Sequence, residues 1–320
     1  MNLSPVLKLA VRGLVAGVAL AAATTTWSQT FPSKTIKIVV TTGAGTASDA
    51  TARYLAEGMG KALNTPVIVE NKAGASGVIA TDSVAKAAPD GHTLLLTFSS
   101  HYINHWTMKP PYDALADFEP IARLNRSPLI FTTSPTSPYT SLRDLIAAAK
   151  QNPDKVSSAT AGGVTQMAGA LMASMAGIRM NEVLYKEPSR VLIEASSGLT
   201  DVAISGLTAA VPMIEGGRVR ALAISTATRS SRVPDVPTVA EAGLPGYEMS
   251  STTMILAPKG TPPAVVSRLS SIITTLAAAE GAQKLCVVQA CDLAVQDAAT
   301  LKAAGPAELE KWHRIVQLIN

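Results

Sequence analysis

Short β-branched and apolar runs alternate with longer stretches of helical period along this 320-residue chain. That alternation restricts the fold more than any other feature. Residues 35–41 (TIKIVVT) and 66–70 (PVIVE) read as strands. Residues 93–98 (TLLLTF) form a continuous apolar run, as expected where helices cover both faces of a sheet. Between the first two, Ala52, Leu55, Ala56, Met59 and Leu63 fall on one face of a helix over 48–63. A second helix over 76–88 stops at Pro89-Asp90-Gly91. Strands joined through helices run parallel, so this pattern predicts an open α/β sheet.

A second set begins after a strand at 129–133. Ser141 and Asp144 form a capping box for a helix over Leu142–Gln151. Strands at 156–159, 182–185, 201–205, 220–225 and 254–257 then alternate with helices at 165–176, 189–197, 207–216 and 262–279, and a last helix covers 298–318. Residues 229–247 carry Pro234, Pro237 and Pro245 and read as an ordered loop with one helical turn, capped by Thr238 and Glu241. Two sets predict two lobes of mostly parallel sheet flanked by helices. A ligand would bind in the cleft between them, beyond the carboxyl ends of the strands.

With 47% hydrophobic and 16% charged residues, the chain buries a large core and is not disordered. Residues 1–28 read as a secretory signal peptide: Lys8 and Arg12 precede an uncharged run over 13–23, and Thr26-Trp27-Ser28 offers a cut before Gln29. The run is shorter than the roughly 20 residues of a membrane helix, which disfavours a retained anchor. Every later apolar run is interrupted by charge or proline, so an exported, soluble periplasmic protein is expected. Removing 1–28 takes away Lys8 and Arg12 and no acid, so the net charge of +4 falls by two, to +2. So small a charge, with 4% aromatics, argues against a nucleic-acid binder.

In that oxidising compartment Cys286 and Cys291 have two possible fates. Five residues apart, they cannot meet on one regular helix or strand. Either a turn around 288–290 pairs them, or they remain two inert buried thiols. Neither makes them catalytic.

The chain has no HExxH, GxSxG, GxxxxGK[ST] or EF-hand loop. His92, His101, His105 and His313 form no complete metal-ligand pattern, although His101 and His105 stand at i, i+4, so no metal or cofactor is expected. A hydrolase built on Ser48 or Ser100 would lack a nucleophile elbow, and no enzyme is expected. Met167, Met172 and Met175 read as core rather than as a ligand wall. What the chain does have is small polar loops at strand ends: residues 42–49 (TGAGTASD), 74–77 (GASG) and 160–165 (TAGGVT). Each presents backbone N–H groups ahead of a helix N-terminus, an arrangement that suits an anion. One such loop is commonly just a turn; three of them, from both sets, favour an anionic ligand.

Several longer stretches carry a resemblance: residues 31–34 (FPSK), 69–75 (VENKAGA), 85–91 (AKAAPDG), 183–186 (VLYK), 217–223 (GRVRALA), 234–247 (PDVPTVAEAGLPGY), 256–258 (LAP) and 260–262 (GTP). In this order, over about 31–320, they resemble the periplasmic substrate-binding proteins of tripartite tricarboxylate transporters, the Bug family. The resemblance implies a two-lobed α/β binding protein that closes over its ligand, with lobe one at 31–131 and 252–320 and lobe two at 132–251. It implies a small organic acid as ligand, held largely by backbone amides, hydroxyls and water. The expected partners are the membrane subunits of such a transporter, and the protein is expected to be a monomer. A ligand sensor for a signalling receptor is the alternative role.

The ligand-binding candidates are Thr42, Gly45, Ser48 and Asp49 in the first loop, Ser76 and Gly77 in the second, and Ser100 and His101 after the third strand. In the second lobe they are Gly162, Gly163, Thr165, Gln166, Tyr185 and Ser205. For His101, ligand contact and a structural hydrogen bond stand equally open. The chain also departs from the family pattern. Its first loop lacks two glycines of the usual Gly-Gly-Thr-Asp ending, and Gln166 stands where His is usual. Glu187 follows Tyr185-Lys186 in place of Gly, Ser205 replaces an Asp, and Thr252 replaces a Trp. These departures bear on ligand choice and leave open a protein that no longer binds the usual acids. Glu187 and Arg190 are either new ligand contacts or, more simply, the start of a helix at Pro188.

Overall fold

The structure is a computed structural model and describes residues 31–319, so the signal-peptide assignment lies outside the described residues. β1 (Ile36–Val40) leads into α1 (Ala47–Leu63), followed by β2 (Val67–Asn71), a short 3-10 turn (Ala75–Gly77), α2 (Val78–Ala85), β3 (Thr93–Phe98) and α3 (Ser100–Thr107). The long strand β4 (Phe118–Thr133) precedes α4 (Leu142–Gln151), β5 (Ser157–Thr160), α5 (Gly163–Ala176), β6 (Asn181–Leu184) and α6 (Pro188–Ser196). β7 (Val202–Gly206), α7 (Leu207–Glu215) and β8 (Arg220–Ile224) complete this set. β9 (Ser250–Pro258), α8 (Pro263–Ala278), α9 (Glu280–Val288), β10 (Asp292–Asp297) and α10 (Ala298–Val316) end the chain.

The strand order is β2-β1-β3-β9-β4-β7-β5-β6, with β10 and β8 also on β4. The expected parallel pairs form: β1 lies between β2 and β3, and β5 lies between β6 and β7. The alternation predicted only the end of β4, at 129–133, and not its first part. Its first part pairs antiparallel with β9 and β10, and residues from Leu129 onward pair antiparallel with β7 and β8. One strand thus belongs to both lobe sheets. Its first part shows little apolar pattern, with Arg123, Asn125 and Arg126 in it. Its register slips near Pro120, where the missing N–H breaks the ladder. α3, α9 and β10 were also unpredicted, and the helix expected over 76–88 begins only at Val78, because residues 74–77 adopt another backbone form, and ends at Ala85.

Local chemistry sets the predicted ends. Asp144 N–H donates to Ser141 Oγ, and Asp144 Oδ2 accepts from Ser141 N–H, closing the box at the start of α4. Thr238 and Glu241 cap each other in the same way within the loop at 229–247. Met167 and Met172 are buried in the core with Phe131, Tyr247 and Trp312, as expected, whereas Met175 is exposed. Cys286 and Cys291 are disulfide-bonded. The turn that brings them together has Ala290 at φ 48°. Among the described residues no helix is long and apolar enough to cross a membrane.

Candidate functional site

Three of the predicted loops lie at carboxyl ends of parallel strands, where main-chain donors come free as the ladder stops. In the first, after β1, Thr42 Oγ1 lies 2.5 Å from Ser48 Oγ and 2.9 Å from Thr46 Oγ1, and Thr46 Oγ1 lies 3.0 Å from Ser48 Oγ. Thr46 also donates to the Gly43 carbonyl at 2.8 Å. Three hydroxyls have three protons for these four contacts, so one O···O contact is without a proton. An added acceptor would draw a proton out of the cluster, and an added donor would find a free lone pair.

Asp49 is 4% exposed at the start of α1. Its Oδ2 accepts from Arg53 Nε and from Gly45 N–H, both at 3.0 Å. The Arg53 bond first, then the Gly45 amide, holds its carboxyl below the usual range, so it is a carboxylate at neutral pH. Asp49 Oδ1 has no partner in the protein. Thr41 Oγ1, buried at the end of β1, also has none. The second loop packs on Thr41: a Cβ placed on Gly77 would stand 3.0 Å from Thr41 Cβ. Gly74, Ala75, Ser76 and Gly77 all have positive φ, at 130°, 45°, 52° and 91°. Asn104 Nδ2 donates to the Ser76 carbonyl at 3.0 Å and pins this run. Strain of this kind persists only where neighbours hold it, and it gathers at binding loops.

On the second sheet, Thr165 Oγ1 donates to the Gly162 carbonyl and accepts from Ala161 N–H, closing the third loop at the start of α5. Gly162 and Gly163 have φ 79° and 55°. Gln166 Nε2 donates to Glu182 Oε2 at 2.8 Å, and Thr160 Oγ1 donates to Glu182 Oε1 at 3.2 Å. Tyr185 N–H donates to the Thr160 carbonyl, and the side chain packs on Ala159, Val191, Ala195 and Ala203. Ser205 is 7% exposed at the end of β7, and its Oγ has no partner in the protein. Ser100 opens α3, half-buried.

His101 is turned inward. It is 1% exposed, with its ring among Tyr102, Tyr112 and Phe118 and its Nε2 2.8 Å from the Ala114 carbonyl. Its hydrogen bond is structural, because α3 turns the ring into the core. Glu187 precedes Pro188 at the start of α6 and makes no side-chain cap; Arg190 pairs with Glu194. The sequence reading missed Thr41, Thr46, Arg53, Asn71, Asn104 and Glu182. Thr46 sat inside a loop already singled out. Asn71, whose Nδ2 donates to the Thr42 carbonyl, stood in the stretch 69–75 without a role, Glu182 belongs to no motif, and both are brought in by strand pairing.

Residues 51–320 match the model of the tripartite tricarboxylate transporter family receptor. The chain belongs to this receptor family. Protein BugT of Bordetella pertussis is 33% identical over 321 residues, covering 97% of this chain and 96% of BugT. Two solved structures share the fold. Rpa4515 of R. palustris, with adipate, has a TM-score of 0.79 at 27% identity, covering 90% of this chain and 98% of that one. MatC of Rhodopseudomonas palustris, with bound malate, has a TM-score of 0.75 at 28% identity, covering 89% and 100%. The family consists of periplasmic solute-binding receptors, and this receptor has their two-lobed α/β architecture. Its departures now have surroundings: Gln166 is engaged by Glu182, and Ser205 is buried without a partner. Thr252 is held by Ser99, which accepts its N–H at 2.9 Å and meets its hydroxyl at 3.0 Å.

Proposed function

We propose that this receptor is exported by its N-terminal segment, binds a small organic acid carboxylate between its lobes, and delivers it to the membrane subunits of a tripartite tricarboxylate transporter. The observation that carries the binding reading is a set of buried polar atoms without protein partners at strand and helix ends in both lobes: Thr41 Oγ1, Asp49 Oδ1 and Ser205 Oγ. Leaving such groups unpaired costs about 1–3 kcal/mol each, which a polar ligand with its water would offset. Adipate and malate in two structural relatives support a carboxylate. Asp49 Oδ1 accepts only, so the same ligand, or water beside it, brings a hydroxyl or amine donor.

The lobes are 31–131 with 252–320, and 132–251. The passage of β4 from one sheet to the other at Leu129, three residues before this bound, and the return of the chain through β9 support a division of this kind. Ligand would bridge both lobes and favour the closed form. The role is capture rather than turnover, in keeping with the family. A thermal-shift screen of mature protein against mono-, di- and tricarboxylates and amino acids tests the reading. A carboxylate well above its Kd raises Tm by mass action; folded protein whose Tm stays unmoved across the panel would overturn the proposal.

A further inference from the structure

Gln289 is bonded to both lobes. It closes α9 within the Cys286–Cys291 loop and is 8% exposed. Its side chain belongs to the first-lobe contacts: Nε2 donates to the Ala47 carbonyl at 2.9 Å, and Oε1 accepts from Thr51 Oγ1 at 3.3 Å. Its main-chain carbonyl accepts from Thr208 Oγ1 in the first turn of α7, on the second-lobe sheet. The next residue, Ala290, is buried in an apolar cluster with Leu207, Ala210 and Val211 of α7. By contrast, Val288 on the same loop is 78% exposed. Val288 therefore does not place this loop; the side-chain amide of Gln289 and the buried methyl of Ala290 do.

Both anchor points adjoin the candidate site. Ala47 precedes Ser48 and Asp49 in α1, and Thr208 follows Ser205 and Gly206. We infer that the disulfide-closed Cys286–Cys291 loop is a tie between the lobes, with Gln289 as the positioning residue that holds the α1 and α7 ends of the site in register. The disulfide keeps Cys291 folded back on the end of α9, so that Gln289 and Ala290 face opposite partners from one short turn. Opening the lobes would have to break the Thr208–Gln289 bond or lift Ala290 from its cluster. The tie therefore favours the lobe arrangement seen here before any ligand arrives. The inference rests on the two-lobed reading of the site but not on the identity of the ligand.

Hydrogen exchange of the ligand-free mature protein tests it. Thr208→Val alters only the second-lobe side, and Gln289→Leu removes only the first-lobe bonds. The tie predicts that Thr208→Val speeds exchange at amides 51–56 of α1 about fivefold, for one net hydrogen bond, and that Gln289→Leu, which removes two, speeds exchange at 213–216 by at least as much. Thr208→Ser restores wild-type rates, and Cys286→Ser with Cys291→Ser speeds both segments. Effects of Thr208→Val confined to α7 would overturn the proposal, and Thr208 is exposed, so this variant decides the matter even if Gln289→Leu does not fold. Because no ligand is used, a failed carboxylate screen leaves this outcome unaffected.

Discussion

The imidazole of His101 lies parallel to the ring of Tyr112, with 5.9 Å between centroids and 7° between planes. Its Nε2 faces the Ala114 carbonyl at 2.8 Å. A carbonyl only accepts, so Nε2 carries the proton and Nδ1 is the basic nitrogen. Nδ1 is buried without a partner, so a second proton there would place a charge in an apolar enclosure. Burial accordingly lowers the His101 pKa from 6.5 to about 4.

A pH dependence of stability follows. The folded value lies below the unfolded one, so the unfolded chain binds the extra proton first. The neutral ring contributes its full stability above pH 6.5, and this is lost as pH falls toward 4. At 1.36 kcal/mol per pKa unit the loss approaches about 3 kcal/mol. Urea denaturation at a series of pH values should show this slope in the wild type and a flatter one in His101→Gln. Carboxylates held low, such as Asp49 and Asp144, lose their contributions only as pH falls further, below about 3.8. Equal slopes for wild type and His101→Gln between pH 6.5 and 4 would contradict the assignment.

Ser205→Ala separates binding from stability. The hydroxyl has no partner in the protein, so its removal should leave the protein as stable as before or about 1 kcal/mol more stable. Affinity for the carboxylate that raises Tm should fall about fivefold to tenfold, the equivalent of one hydrogen bond. Calorimetric titration showing equal affinity for wild type and variant would remove Ser205 from the site.

Adjacent residues in the second loop should respond in opposite directions. Gly77→Ala combines φ 91° with a Cβ 3.0 Å from Thr41 Cβ and should cost about 1–2 kcal/mol. Ser76→Gly relieves a left-handed non-glycine residue and should be neutral or stabilising by up to about 1 kcal/mol. Chemical denaturation of both variants checks the pair, and a neutral Gly77→Ala would show that the loop does not press on Thr41.

At the start of α4, Ser141→Ala removes the acceptor for Asp144 N–H and should cost about 1 kcal/mol. The capping carboxylate of Asp144 is held low by its bonds to Thr140 and Ser141, so part of this loss should vanish below about pH 3.8. Measuring the difference in unfolding free energy at neutral and acid pH tests both halves of the statement.

Local sequence determined a large part of this protein. Periodicity placed α1, β3 and α5, side-chain caps placed the start of α4 and the turn at Thr238, and small polar residues marked the three loops. These features were legible because each depends on residues within one or two turns of one another. Tertiary structure decided what depends on distant partners. β4 holds two sheets together although its own pattern is broken by charge and proline. His101 entered the core because α3 packs over Tyr112 and Phe118, and no local signal fixes which way an isolated histidine points. Cys286 and Cys291 paired because a left-handed residue at 290 turned the chain, and Gln289 gained meaning only when α1 and α7 arrived on either side of it. Hydrogen-bonding groups of that kind carry no periodicity, so their partners are set by chain topology rather than by their neighbours in sequence.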